Sequence, residues 1–197
     1  MNAHQAVRGS PLYPRLLGAS WSGLPAAVRR CHLRDTATRV RGSGTFQIRH
    51  GNAFLAGFIV RMLRMPPAAK AVPVQLLITP DGDGEKWLRT FGNCRLVTTQ
   101  REHRNGHLAE RTGMIEFWFC LEVVSGGLRY RQTGAALRLG RWAVALLPWM
   151  SPQVEAQEKA NDKDPNQTQV HVRVTLPLIG LLFSYEGCIR AQVVPTS

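Results

Sequence analysis

The pattern of apolar and polar positions along the chain changes its period part-way. From Leu12 to Leu33, LYPRLLGASWSGLPAAVRRCHL sets Leu12, Leu16, Trp21, Leu24 and Val28 on shared helical faces. A break at Gly18 to Gly23 and Pro25 near the first turn of a second segment predict a pair of short helices. TRVRGSGTFQIRHG then puts Val40, Phe46 and Ile48 on one parity, as in a strand bent at Gly42 and Gly44. AFLAGFIVRMLRM is apolar at nearly every position except Arg61 and Arg64, which predicts a buried helix ended by Pro66 and Pro67.

Beyond Pro67 strands take over, with a period of two from Lys86 onward. VPVQLLITP reads as a strand before the DGDG turn at 81–84. WLRTF places Trp87, Arg89 and Phe91 on one side, and CRLVTTQRE and HLAERTG flank the hairpin signal Asn105-Gly106. IEFWFCLEVV alternates Ile115, Phe117, Phe119, Leu121 and Val123 against Glu116, Trp118, Cys120 and Glu122. LRYRQTG and AALRLG continue the alternation, WAVALLPWMSP is an apolar connection, and VEAQEKA and QVHVRVTLP form a hairpin around NDKDPN. In PLIGLLFSYEG the alternation leaves open whether Tyr185 or Glu186 faces inward, because a bulge at Gly180 would decide the parity.

Roughly ten strands in sequential hairpins predict an α+β fold: a large curved antiparallel sheet, barrel or half-barrel, packed on a helix, with an N-terminal helical pair. Such an architecture encloses a cavity. With 197 residues, 44% of them hydrophobic and 19% charged, one domain with a substantial core is expected over 11–197, and disorder over 1–10. The longest apolar runs fall well short of a membrane span and no secretory signal is legible, so a cytoplasmic location is expected. Cys31, Cys94, Cys120 and Cys188 are scattered without a CxxC pair, which suits reduced thiols rather than a disulfide framework or a metal site.

A formal net charge of +12 changes the picture in one respect. The excess is concentrated at the front, where residues 1–50 carry eight arginines against one aspartate. Arg29, Arg30, Arg34, Arg39 and Arg41 make contact with nucleic acid or an anionic membrane one alternative, although no known single-strand binding motif accompanies them.

No GxSxG, HExxH, GxxxxGK or GxGxxG signature is present, so neither a cofactor nor a common catalytic class is indicated. His103 and His107 flank one turn but lack a third ligand nearby. Glu110, Glu116, Glu122 and Glu186 sit among apolar neighbours, where an unpaired carboxylate is costly, so arginine partners are expected from Arg89, Arg95, Arg111, Arg129 and Arg131. Trp87, Trp118, Trp142, Trp149 and Phe183 are candidates for an apolar cavity wall.

LYPRLLG, LPAAVRRCH, RVRG, VPVQLLI, the W-x-R-x-F-G from Trp87, LAERTG, GLRY, LLP and LPLIGLLFSYEG together resemble a bacterial family known only as a domain of unknown function. Members of that family occur alone or C-terminal to saccharopine-dehydrogenase-like or epimerase-like NAD(P)-binding domains, sometimes with DoxX-like segments. The resemblance covers about residues 11–190 and brings no established activity. It marks Trp87, Arg89, Phe91, Glu110, Arg111, Tyr185, Glu186 and Gly187; Cys188 stands where an aromatic is common.

The expected function is a binding module for an apolar or lipid-like molecule, with an NAD(P)-binding oxidoreductase as a partner. Its ligand-binding candidates are Trp87, Arg89, Phe91, Arg111, Trp118, Tyr185 and Glu186. The alternative is a cofactor-free enzyme using Glu186 or Glu110 as acid or base.

Overall fold

The computed structural model describes residues 11–33, 37–62 and 65–195. The expectation for residues 1–10, and Arg34 of the arginine cluster, lie outside them. Eleven strands follow one another: β1 (Thr38–His50), β2 (Ala69–Asp81), β3 (Gly84–Phe91), β4 (Cys94–His103), β5 (His107–Thr112), β6 (Ile115–Val124), β7 (Gly127–Leu139), β8 (Trp142–Ala145), β9 (Gln153–Asn161), β10 (Asp164–Leu176) and β11 (Gly180–Pro195). Three short helices accompany them: α1 (Leu12–Leu17), α2 (Ala26–His32) and α3 (Phe54–Met62). A 3-10 turn over Gly18–Gly23 joins the first two, at the expected break, and Pro25 caps α2.

All pairings are antiparallel, and β6 pairs with both β5 and β7 while β7 also pairs with β9, so ten strands close into a barrel with β8 outside the ring. The α+β expectation therefore gives way to a mainly β barrel. Its interior is not a helix. Helices α1 and α2 close one end, while α3, at the other end, buries Ala56 and Val60 against Val174 and Leu182. That helix is also not the buried one the sequence suggests, since Phe54 and Phe58 stand in solvent.

Period two places one residue in two on the inner wall. Val40, Phe46 and Ile48 of β1 face in beside Val72, Val74, Leu76 and Ile78 of β2. Trp87, Arg89 and Phe91 of β3 lie in register with Ile78, Leu76 and Val74. Gly42 and Gly44 do not interrupt β1, which stays paired on both sides through them, and the irregularity against β2 falls between Phe46 and Ile48. These glycines serve close approach instead: a Cβ on Gly44 would lie 2.0 Å from the Cys188 carbonyl oxygen.

At one seam the ladder is completed by a side chain. After Arg131, β7 leaves β9, and its far end pairs with β8. There Gln132 accepts from the Val154 N–H at 2.7 Å and donates to the Pro152 carbonyl at 3.0 Å, satisfying backbone groups that the parting strands would orphan.

Gly187, on the inner wall of β11, lies under the Phe46 ring, and a Cβ there would fall 2.3 Å from the Thr45 carbonyl oxygen. Gly187→Ala is expected to destabilise the barrel by roughly 1–3 kcal/mol, as overpacking against backbone does. Gly57→Ala, on α3 with nothing within 4 Å, should be neutral or stabilising. Urea unfolding of the two variants checks the contrast.

Candidate ligand cavity

A cavity of about 580 Å³ occupies the barrel. Phe46, Val74, Leu76, Phe117, Val172 and Tyr185 make much of its wall, each on the inward parity of its strand. Phe46, Phe91 and Tyr185 meet as tilted and edge-on rings with centroids 5.4 to 6.2 Å apart, which fixes that side of the wall.

Against this apolar wall stands a part-buried guanidinium. Arg89 lies over the Trp87 ring at 4.6 Å, donates to Thr98 Oγ1 at 3.0 Å and faces Glu110 Oε1 at 3.5 Å. Burial works against its charge, but Tyr185 and Glu110 more than offset that and hold its pKa above the ordinary arginine value. Arg89 carries five N–H donors, and Thr98 and Glu110 do not exhaust them.

Deeper, the plug helices meet the strands through a polar chain. His32 Nε2 of α2 is 2.6 Å from Glu158 Oε2, and the Tyr130 hydroxyl donates to Glu158 Oε1 at 3.0 Å. The Tyr13 hydroxyl of α1 donates to Gln100 Oε1 at 2.8 Å and lies 3.1 Å from that of Tyr130. Burial would raise the Glu158 pKa, but His32, Tyr130 and Arg89 hold it below the usual carboxylate range. Burial and Glu158 together push both phenols well above theirs. The floor is thus an ionised carboxylate between the His32 ring and the neutral phenol of Tyr130. Cys31, also lining the cavity, is no nucleophile: burial first, then Glu158, pushes its thiol up to about 12.

Residues 24–189 match the family model described as Domain of unknown function (DUF4166). The chain belongs to that family. Among curated proteins nothing matches. A similar solved structure is the crystal structure of a protein of unknown function from the DUF3598 family of Nostoc punctiforme PCC 73102, at 10% identity and a TM-score of 0.38. The match covers 77% of this chain and 45% of that one, so this chain spans less than half the length of that relative.

Of the positions that carry the resemblance to the DUF4166 family, the barrel brings Trp87, Arg89, Phe91, Glu110 and Tyr185 together around the cavity. Three candidates point the other way. Arg111 follows inward Glu110 and turns outside to donate to the Gly113 carbonyl. Trp118 lies between inward Phe117 and Phe119, stacks outside on His103 at 5.0 Å and donates to Glu116. Glu186 follows inward Tyr185 and meets Arg49 and His171 on the exterior, at 3.7 and 3.5 Å. It is exposed and cannot act in the cavity. The deciding bulge lies at Leu182 rather than Gly180: Thr175 pairs with Leu181 and Val174 with Phe183, so Leu182 and Phe183 both reach the lining.

Phe183 is in the wall as expected, whereas Trp142 and Trp149 are exposed outside it. Sequence reasoning missed Tyr13, His32, Gln100, Tyr130 and Glu158, which come from α1, α2, β4, β7 and β9. Glu158 carried one usable signal, because alternation from Val154 and Ala156 puts it on the apolar parity. Among the described residues no three His, Cys, Asp or Glu side chains converge as metal ligands.

The exterior clamp on Trp118 has a pH signature. Burial would raise the Glu116 pKa, but hydrogen bonds from Arg138, Trp118 and Arg101 overcome it and lower it from 4.5 to about 2. A depressed carboxylate stabilises the fold fully above its unfolded pKa and loses that contribution as pH falls through the folded one. Glu116→Gln is therefore expected to cost about 2 kcal/mol at neutral pH. The gap between wild type and variant should close as pH drops from 4.5 toward 2 in a series of denaturant melts.

Proposed function

We propose that this chain is a binding module that takes an apolar or lipid-like molecule into the barrel, tail along the aliphatic and aromatic wall and polar head at Arg89 and Glu110. The observation that supports the reading most is the pairing of a 580 Å³ apolar cavity with a part-buried guanidinium whose donors are not used up. Cavities of roughly 300–1,000 Å³ are the size that holds small molecules. An ion pair partly withdrawn from water costs desolvation that an apolar pair would not, so its presence in a mostly apolar wall supports a ligand rather than stability as its purpose. Arg89 donates and Glu110 accepts, a combination that suits a head such as a hydroxyl beside a carbonyl, or a carboxylic acid.

The enzyme reading keeps Glu110, the one of the two proposed carboxylates that faces the cavity; paired with Arg89, it is better placed to hold a head group than to exchange a proton. A cytoplasmic NAD(P)-dependent oxidoreductase that receives or supplies the bound molecule is part of the same proposal.

Native mass spectrometry of the purified protein, with organic extraction of what it carries, is expected to show one retained amphiphile. Arg89→Met should weaken binding of a fluorescent fatty acid about tenfold, the loss of one charge-assisted hydrogen bond. The same change should leave a headless hydrocarbon probe unaffected, while Val172→Trp, which fills the wall, should abolish both. A folded wild type that retains nothing and binds neither probe would reject the reading.

A further inference from the structure

The two ends of the barrel differ in chemistry. At the end closed by α1 and α2, the turns between β2 and β3 and between β9 and β10 carry Asp81, Asp83, Asp162 and Asp164 beside Lys163, while the β4–β5 turn carries Arg104. At the other end the connections are residues 51–68, 92–93, 113–114, 140–141, 146–152 and 177–179, and none of them contains Asp or Glu. Exposed Arg61, Arg95 and Arg141 stand there instead.

The same end carries nearly all of the exposed large apolar side chains of the described residues. Except for Leu33 and Val193, these belong to it: Phe54 and Phe58 on α3, Val97 and Met114, Leu139, Trp142 and Val144 on the β7–β8 hairpin, Leu147, Trp149 and Met150 beyond it, and Leu178 on the β10–β11 turn. Phe54 is 94% exposed, Trp142 66% and Leu178 98%. Leu178 also holds φ at +70°, a left-handed conformation that a leucine adopts at a cost. Trp142 carries the Arg141 guanidinium 5.2 Å over its ring.

These side chains are continuous with the cavity. Met114, Val97, Met65 and Leu137 line it, and Val144 and Trp142 share the face of Leu137 and Leu139 in the β7–β8 register. An apolar path thus runs from the cavity onto the exposed rim. Tryptophan and arginine together, with leucine and phenylalanine and without carboxylates, are the composition of a surface seated at the headgroup boundary of a bilayer.

We propose that this end of the barrel docks on an anionic lipid bilayer, with Trp142, Trp149, Phe54 and Leu178 in the interface and Arg61 and Arg141 on lipid phosphates. The proposal rests on the ligand-binding reading for its purpose: an apolar molecule then passes between bilayer and cavity without entering water. It is distinct from the membrane alternative drawn from the sequence, because Arg29 and Arg30 lie on the plug helix α2 and Arg30 is engaged by Asn166. An anionic bilayer fits the rim better than a protein partner, because the cations recur all round the opening, on α3, on β4 and at the β7–β8 turn.

Co-sedimentation with vesicles of phosphatidylcholine, alone or mixed equally with phosphatidylglycerol, tests it. Wild type should bind the anionic vesicles and leave the neutral ones largely free, with tryptophan fluorescence quenched by brominated acyl chains. Trp142→Ser with Trp149→Ser should weaken binding about tenfold. Arg61→Glu with Arg141→Glu should weaken it by at least about fivefold for each arginine lost. Both double variants should bind a soluble fluorescent fatty acid in the cavity as wild type does, since none of the four residues lines it. Arg89→Met should do the reverse, losing cavity ligand while still sedimenting, so an empty cavity and a failed docking surface are told apart. The proposal is overturned if wild type stays in solution or ignores lipid charge, or if the rim variants bind as wild type does. It is equally overturned if the rim instead drives self-association that the tryptophan changes abolish, which would make a second copy its occupant.

Discussion

Everything in this molecule follows from the closure of ten strands on themselves through β6 and β7. About eight strands enclose a space that their own side chains just fill. Two more strands widen the ring, and inward residues such as Val74, Val172 and Phe117 no longer meet across the axis. The cavity is thus a consequence of strand number.

A ring that wide must be stopped at its ends. Helices α1 and α2 do this at one end with Leu12, Tyr13, Leu24 and Val28, all buried. The plug also inserts His32 and Tyr13 among Glu158, Tyr130 and Gln100. These groups are costly to desolvate and worth keeping only when satisfied, so the polar chain orients the plug while the apolar contacts hold it. Its pKa pattern, a depressed carboxylate beside raised phenols, is the signature of that mutual satisfaction.

Among the described residues the opposite end carries α3 alone, packed to one side on Val174 and Leu182. Its connections avoid carboxylates and expose aromatic and aliphatic side chains, whereas two of the turns at the plugged end carry aspartates. Placed on one axis, these features give the barrel a direction: polar floor, apolar wall, apolar and cationic mouth. The net charge of +12, which composition left without an address, is thereby partly resolved, because the connections at the mouth carry arginine and no carboxylate.

Period-two alternation was legible from Lys86 onward, as were the helical pair, the Asn105-Gly106 turn and the pairing of Trp87, Arg89 and Phe91 on one face, because each depends on neighbours within a few residues. Parity within a strand does not say which face is inside, and one inserted residue reverses it. The bulge at Leu182 therefore decided that Tyr185 and not Glu186 enters the cavity, and the inward parity of Glu110 decided the exile of Arg111. The floor was beyond reach for a different reason. Tyr13 meets Gln100 across 87 positions and His32 meets Glu158 across 126, and no local pattern encodes a contact that exists only once the ring has closed and the helices have entered it.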